Sequence, residues 1–557
     1  MDQHEKAFLD ELKYCIRRND TIKARAAFQF FPEASAETQG KVLDEILKAP
    51  DAVAFPLLES LSRIPLNPGM KDKVTELLYE KSYNNTARIL DFIRSKDAKD
   101  KRLYVSIAGN LKIREALPCL EEILLNATDE ELLLETLTAI GKVGAPSSVS
   151  GVASFLGSAS GKLKLGAIGA LADIGGASAI KKLCETLTGQ SDTDLAVVDT
   201  LARLQDHQSL EKLAELLSSR FVDLRNTAID HLIAIGPKAI PFVTECLKSD
   251  DDDTVIHSLN ILGNIGDLTA LPAIAKVIYN EPKNPNVRFA VYEAMERLPS
   301  TKSAVSLAQG LTDPIDHVSM AAAKAIDNNL STVLVAGLRN MIDAQDAQSE
   351  KIVATLVDSG ADNVFGFLLD SEVFQSYAVK HLSERAHPKT VDHCIQLLER
   401  KGLGGLISRI RNQQKPARSA TVRIMAVDDS KTMLKIYMRM LHDMGFETIA
   451  HEHPAQALIA AKADKPDLLL TDLNMPEMNG LQLSEEIRKL YSAQQLPILM
   501  ITTQSDIVGQ AVSSKPGGAD RAVQKAGIDL VLNKPFEAAD LEGAVARLLK
   551  RQANPTR

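Results

Sequence analysis

An apolar anchor returns at a near-constant interval through the first half of this 557-residue chain: Leu111, Ile140, Ile174, Leu204, Ile235, Ile265 and Leu298 lie 29 to 34 residues apart. The surroundings of the clearest anchors repeat as well, in "TAIGKVGAPSSV", "ADIGGASAIKKL", "LIAIGPKAIPFV" and "NILGNIGDLTALPAI", with "LARLQDHQSLEKL" a weaker copy. A period of about 31 with internal helical spacing is the mark of stacked helix pairs. One pair cannot bury both of its faces, so it must lean on the next. In the clearest units an apolar helix is expected to end at Ile-Gly, where glycine accepts the left-handed backbone of a C-cap. A short turn follows, and an Ala-Ile or Ala-Leu pair opens the second helix. The stretch is therefore constrained to an all-α solenoid.

This pattern resembles HEAT-like repeats of the short bacterial type over about residues 100–330. Residues 1–100 and 330–400 also read as helices ("AETQGKVLDEILKA", "VDHCIQLLER") in looser phase, as terminal caps do. The expected first domain is thus 1–400. The resemblance implies a scaffold that binds an unidentified protein partner along one face. Some relatives of such repeats attach bilin chromophores as lyases, and unrelated rods grip DNA. A receiver-regulated enzyme of the lyase kind, or a nucleic-acid-binding solenoid, is the alternative reading. Composition argues against both. The eleven His form no cluster with the five Cys (15, 119, 184, 246, 394), which are far apart and show no CxxC spacing. Neither a zinc site nor a disulfide framework follows, and a reducing cytoplasm is the expected location. Aromatic content is 4% with no Trp, which leaves few platforms for bases. Net charge is −9, and residues 421–557 hold 16 Lys and Arg against 17 Asp and Glu, so the acidity falls on the repeat and no DNA is expected. The N-terminus lacks a signal-peptide pattern, and no run of 18 apolar residues predicts a membrane span.

Residues 401–421, from "KGLGGL" to "NQQKPARSA", break the repeat and read as a helix stop followed by a polar, basic linker. Beyond them the period changes. Short apolar runs ("RIMAV", "FETIA", "PDLLL", "PILMIT", "DLVLN") alternate with amphipathic segments as far as 551, leaving 552–557 as a tail. Five strands alternating with five helices predict an α/β domain over 422–551 with helices on both faces of a parallel sheet. The flavodoxin-like order 2-1-3-4-5 is the natural topology.

Strand one then delivers Asp428 and Asp429, strand three Asp472, strand four Thr502 and strand five Lys534, all at the carboxyl ends where such sheets keep their crevice. Three converging carboxylates call for a cation, and hard oxygen ligands suit Mg²⁺. One carboxylate can then act as nucleophile towards a phosphoryl group held by metal, Lys and hydroxyl.

The acid pair, "DLNMPEMNG", the strand-end Thr and "NKPF", in that order, resemble the receiver domain of two-component response regulators. That resemblance implies phosphorylation of Asp472 by a sensor histidine kinase or phosphotransfer protein. It implies Mg²⁺ on Asp428, Asp429, Asp472 and the backbone carbonyl of Asn474, Lys534 paired with the acyl phosphate, and Thr502 bonding a phosphoryl oxygen. The protein would be a switch, not an enzyme beyond phosphotransfer and slow autodephosphorylation, and a phosphorylation-dependent dimer is one arrangement it allows. With only "QANPTR" after the last helix, output is expected through protein binding. Two features depart from the family. Val531 stands where a switch aromatic is usual, and the stretch from Thr502 to Lys534 is long. Its "SSKPGG" predicts a mobile loop over 503–519, with the fourth helix starting near Asp520.

Overall fold

The computed structural model describes residues 3–83, 85–95, 101–189, 193–413, 422–473, 475, 477–503, 523–534 and 536–553. The chain divides into two compact units, residues 1–200 and 201–557.

Every secondary-structure element among the first unit's described residues is a helix. Its repeat helices start on side-chain caps, Asp129 accepting from the Glu131 amide and Ser160 from the Leu163 amide. The predicted Ile-Gly stop holds at Gly175, which has φ of 66°. It does not hold at Ile140-Gly141: the helix Glu130–Val143 runs on and stops at Gly144, φ 72°. Gly141 has another task, since a Cβ there would come 2.9 Å from the Ala170 Cα of the next equivalent helix. Small residues let the backbones of successive helices touch, and stacking at that distance buries the apolar stripe of each.

The second unit continues helix pairs and then changes class. Four of its helices matter for the site: α1 (Asp252–Ile265), α2 (Pro285–Arg297), α3 (Asp316–Asn328) and α4 (Ala347–Ser359). Asp251 caps the start of α1 and Gly266, φ 73°, ends it, as the repeat predicted. The glycine device recurs, with a Cβ on Gly263 falling 3.0 Å from the Ala294 Cα of α2. Residues 404–413, assigned to the linker from sequence, form one more helix, Gly404–Gln413. Gly402 (φ 70°) does stop the preceding helix, but Leu406, Ile407 and Ile410 then recur at helical spacing and are buried. Residues 414–421 lie outside the described chain.

The α/β part is built from β1 (Arg423–Val427), α5 (Lys431–Asp443), β2 (Glu447–His451), α6 (Pro454–Ala463), β3 (Leu468–Asp472), α7 (Gly480–Arg488), β4 (Ile498–Thr503), β5 (Leu530–Lys534) and α8 (Ala538–Ala553). All neighbouring strands pair in parallel, in the order β2-β1-β3-β4-β5. Both faces of the sheet are covered, which is why β1, β3 and β4 read as unbroken apolar runs. Ile424, Leu468, Leu470 and Leu499 pack with Tyr437, Leu441, Leu541 and Val545 on one side. On the other, Met425, Leu469 and Met500 pack with Ala457, Leu483 and Ile487. The expected loop over 503–519 and a helix start near Asp520 fall outside the described residues, apart from the backbone of Thr503 at the end of β4. Val531 is half-buried and pairs with Met500.

Candidate functional site

In a parallel sheet the carboxyl ends of the strands share one edge, and the loops that follow them leave a cleft there. There Lys534 reaches across from β5. Its Nζ lies 2.6 Å from Asp472 Oδ1 and 3.3 Å from Asp428 Oδ2. Both carboxylates are buried, and Asp428 is held further by the Ser430 amide (2.9 Å) and the Tyr437 hydroxyl (3.1 Å). Burial opposes the charge on Lys534, yet Asp428 and Asp472 more than offset it and keep its pKa well above the usual value. Burial pushes the Asp472 carboxyl up to about 7, against the pull of Lys534 and with Asp428 adding to the rise. Asp429, next to Asp428 in the chain, stays exposed. The protein mass around it, and then the charge of Asp428, still push it up to about 6.

Of the residues singled out from sequence, Asp428, Asp472 and Lys534 form one bonded cluster, with Asp429 beside it. Thr502 is buried one strand over, paired with Asn533, while Asp472 pairs with Ile501. Asn474 lies outside the described residues. Among the described residues no three acidic, imidazole or thiol side chains form a ready-made metal cage. The donor set is nonetheless all oxygen, and Asp428 raises the pKa of both Asp429 and Asp472, an excess of negative charge that a hard divalent cation would relieve.

Sequence reasoning missed three contributors. Tyr437 sits two helical turns along α5, and its hydroxyl is indistinguishable in sequence from an ordinary core tyrosine. Gly480 opens α7 against the backbone of Asp472: a Cβ there would lie 2.1 Å from the Asp472 carbonyl oxygen. Glu293, on α2 of the repeat, accepts a 3.0 Å hydrogen bond from the Ser430 hydroxyl that caps α5, across 137 residues of chain.

Residues 424–546 match the response regulator receiver domain family, and residues 256–327 match HEAT repeats. The chemotaxis protein CheY1 of Helicobacter pylori is 36% identical over 120 residues, which is 21% of this chain and 86% of that one. The chain belongs to the response regulators. A second relative of this response regulator, the "Probable transcriptional regulator ycf27" of Cyanophora paradoxa, is 28% identical over 134 residues. That match takes in 24% of this chain and only about half, 51%, of ycf27. The solved chemotaxis response regulator CheY4 of Vibrio cholerae is 26% identical, covering 23% of this chain and 98% of that one, with a TM-score of 0.20. None of the described helices is long and apolar enough to cross a membrane.

The receiver's cleft is closed on one side by the repeat. A cavity of about 230 Å³ has Asp472 and Lys534 on one wall and residues of α1, α2 and α3 on the other. His317 of α3 lines it, 9% exposed, edge-on to Phe289 and with its Nε2 buried without a hydrogen-bond partner. Burial, reinforced by Lys534 and Arg288 and opposed by Asp313 and Asp316, pushes its pKa down to about 4. The folded state then binds fewer protons than the unfolded chain between pH 6.5 and 4, so this histidine's contribution is complete above 6.5 and lost on acidification. The loss should reach about 3 kcal/mol at pH 4. Comparing the wild type with His317→Phe from pH 7 to 4 checks it: the difference between their stabilities should open by about that amount, and a constant difference would refute it.

Proposed function

We propose that this response regulator is a phosphorylation switch in which Asp472 accepts a phosphoryl group and the helical repeat of residues 1–400 carries the output by binding a protein. The observation that carries the reading is the Lys534 ammonium bridging Asp428 and Asp472 at the carboxyl edge of the parallel sheet. The phosphodonor is a phosphohistidine on a sensor kinase or phosphotransfer protein. An Asp472 carboxylate oxygen attacks phosphorus, the P–N bond breaks, and the imidazole keeps the electron pair and takes up a proton. Lys534 moves from pairing two carboxylates to pairing the acyl phosphate, and Thr502 supplies a hydroxyl to a phosphoryl oxygen. Asp428, Asp429, Asp472 and the backbone carbonyl of Asn474 would hold Mg²⁺, which when bound neutralises charge on the phosphoryl oxygens. The activity expected of the domain itself is this transfer and slow hydrolysis of the product.

Incubation with Mg²⁺ and acetyl phosphate tests the assignment. A phosphoryl adduct should be found by mass spectrometry on Asp472 in the wild type and be lost in Asp472→Asn. An adduct of equal yield in the variant would place the acceptor elsewhere.

A further inference from the structure

Helix α2 buries Val287, Ala290, Val291 and Ala294 in the repeat, which leaves Phe289, Glu293 and Arg297, four residues apart, on a separate stripe. That stripe faces the receiver. Phe289 packs against the receiver's core, and Glu293 accepts from Ser430, two residues from Asp428. The next helices extend the contact. Met320 of α3 is buried within the same apolar cluster as Tyr437 and Leu441. On α5, Lys435 Nζ donates to the Ser359 carbonyl at 2.5 Å, and Arg439 lies 3.7 Å from Asp316 and 3.5 Å from the buried Asp358. The repeat thus covers α5 and the mouth of the phosphoacceptor cleft with apolar contact at the centre and ion pairs at the rim.

We infer that the repeat is a wall of the phosphoacceptor site, and that Glu293 sets docking of the repeat against phosphorylation of Asp472, so that each weakens the other. The inference rests on Asp472 being the phosphoacceptor. Its physical basis is charge. Glu293 lines the same cavity as Asp472, and burial, opposed by Arg297 and with Asp428 adding, pushes its pKa up to about 7. A phosphoryl group brings further negative charge into a poorly hydrated space, where like charges repel more than in water. The repeat does carry a cation nearby, Arg297, whose field reaches Glu293 and Asp429. Arg297 is exposed, however, and screened by solvent, whereas Glu293 is in direct contact with the cap of α5. If docking opposes the phosphoryl group, then by reciprocity removing the opposing charge must tighten binding of a phosphoryl mimic.

The test uses the full chain with Mg²⁺ and beryllofluoride, reading affinity by calorimetry and docking by hydrogen exchange in peptides of α3 and α5. Bound beryllofluoride should lower protection in both helices. Glu293→Gln keeps the shape and the hydrogen bond from Ser430 but drops the charge, and should bind the mimic about fivefold tighter or more. Arg439→Glu, which repels Asp316 and Asp358, should do the same by undocking. A packing role alone would change protection and leave affinity unmoved. Equal or weaker binding in Glu293→Gln, or protection that rises with the mimic as an Arg297 clamp would produce, overturns the inference. Binding to Asp472→Asn as tight as to the wild type removes the phosphoacceptor assignment and this inference with it.

Discussion

Replacing Lys534 with methionine should destabilise the α/β domain by about 3–5 kcal/mol at pH 8, and by clearly less at pH 5. Methionine fills much of the space but leaves Asp428 and Asp472 buried with no ammonium between them. A buried carboxylate without its partner is expensive because it has given up water and received nothing in return. The pH dependence follows from Asp472. Burial already pushes it up to about 7 with the cation 2.6 Å away, and removing the cation raises it further. A carboxyl whose folded-state pKa exceeds its ordinary value lets the folded protein hold more protons than the unfolded chain. Stability from that group is therefore greatest below the ordinary carboxylate range and falls as pH climbs towards the folded-state pKa. Urea-dependent hydrogen exchange in peptides of β1 and β3, at both pH values, measures the penalty in the α/β domain alone. An equal penalty at pH 5 and pH 8 would mean that the lysine's packing matters and its charge does not.

The receiver's sheet could be read from sequence because its strands are buried on both faces, and an apolar run such as "PDLLL" ending in Asp has few other uses. Its acid pair, Asp472 and Lys534 could be placed together because parallel topology fixes which strand ends are neighbours. The repeat period was legible for a similar reason: the same packing problem is solved every 29 to 34 residues. What stayed hidden depended on contacts between elements distant in sequence. Gly141 looked like a C-cap because Ile-Gly is the pattern of one, yet its lack of a Cβ serves the neighbouring helix and Gly144 does the capping. The helix Gly404–Gln413 was masked by its glycines, which read as a stop until Leu406 and Ile410 are seen to be buried. Glu293 carries no local signal at all. A glutamate on a helix surface is ordinary, and only the approach of α5 turns it into part of an acidic site.

Gly480→Ala should be the most damaging single methyl group in the receiver, while Gly543→Ala in the same domain should stabilise. At Gly480 the added Cβ meets the Asp472 carbonyl oxygen at 2.1 Å and the Leu473 Cα at 3.1 Å, both backbone atoms of the turn that presents Asp472. Neither can swing aside as a side chain end could, so α7 or the end of β3 must move. The Gly480 amide, which donates to the Leu473 carbonyl at 2.8 Å, ties the two together. The cost belongs at the upper end for overpacking, about 3 kcal/mol or more. It should come with slower labelling of Asp472 by acetyl phosphate, because the displaced atoms are those that aim its carboxylate. At Gly543 nothing lies within 4 Å of an added Cβ, and the position is interior to α8. Alanine there should gain about 0.5–1 kcal/mol from backbone entropy alone and leave labelling unchanged. The pair separates two uses of glycine that look the same in sequence. If both variants shifted stability alike, the close approach of α7 to the Asp472 turn would not be what Gly480 is there for.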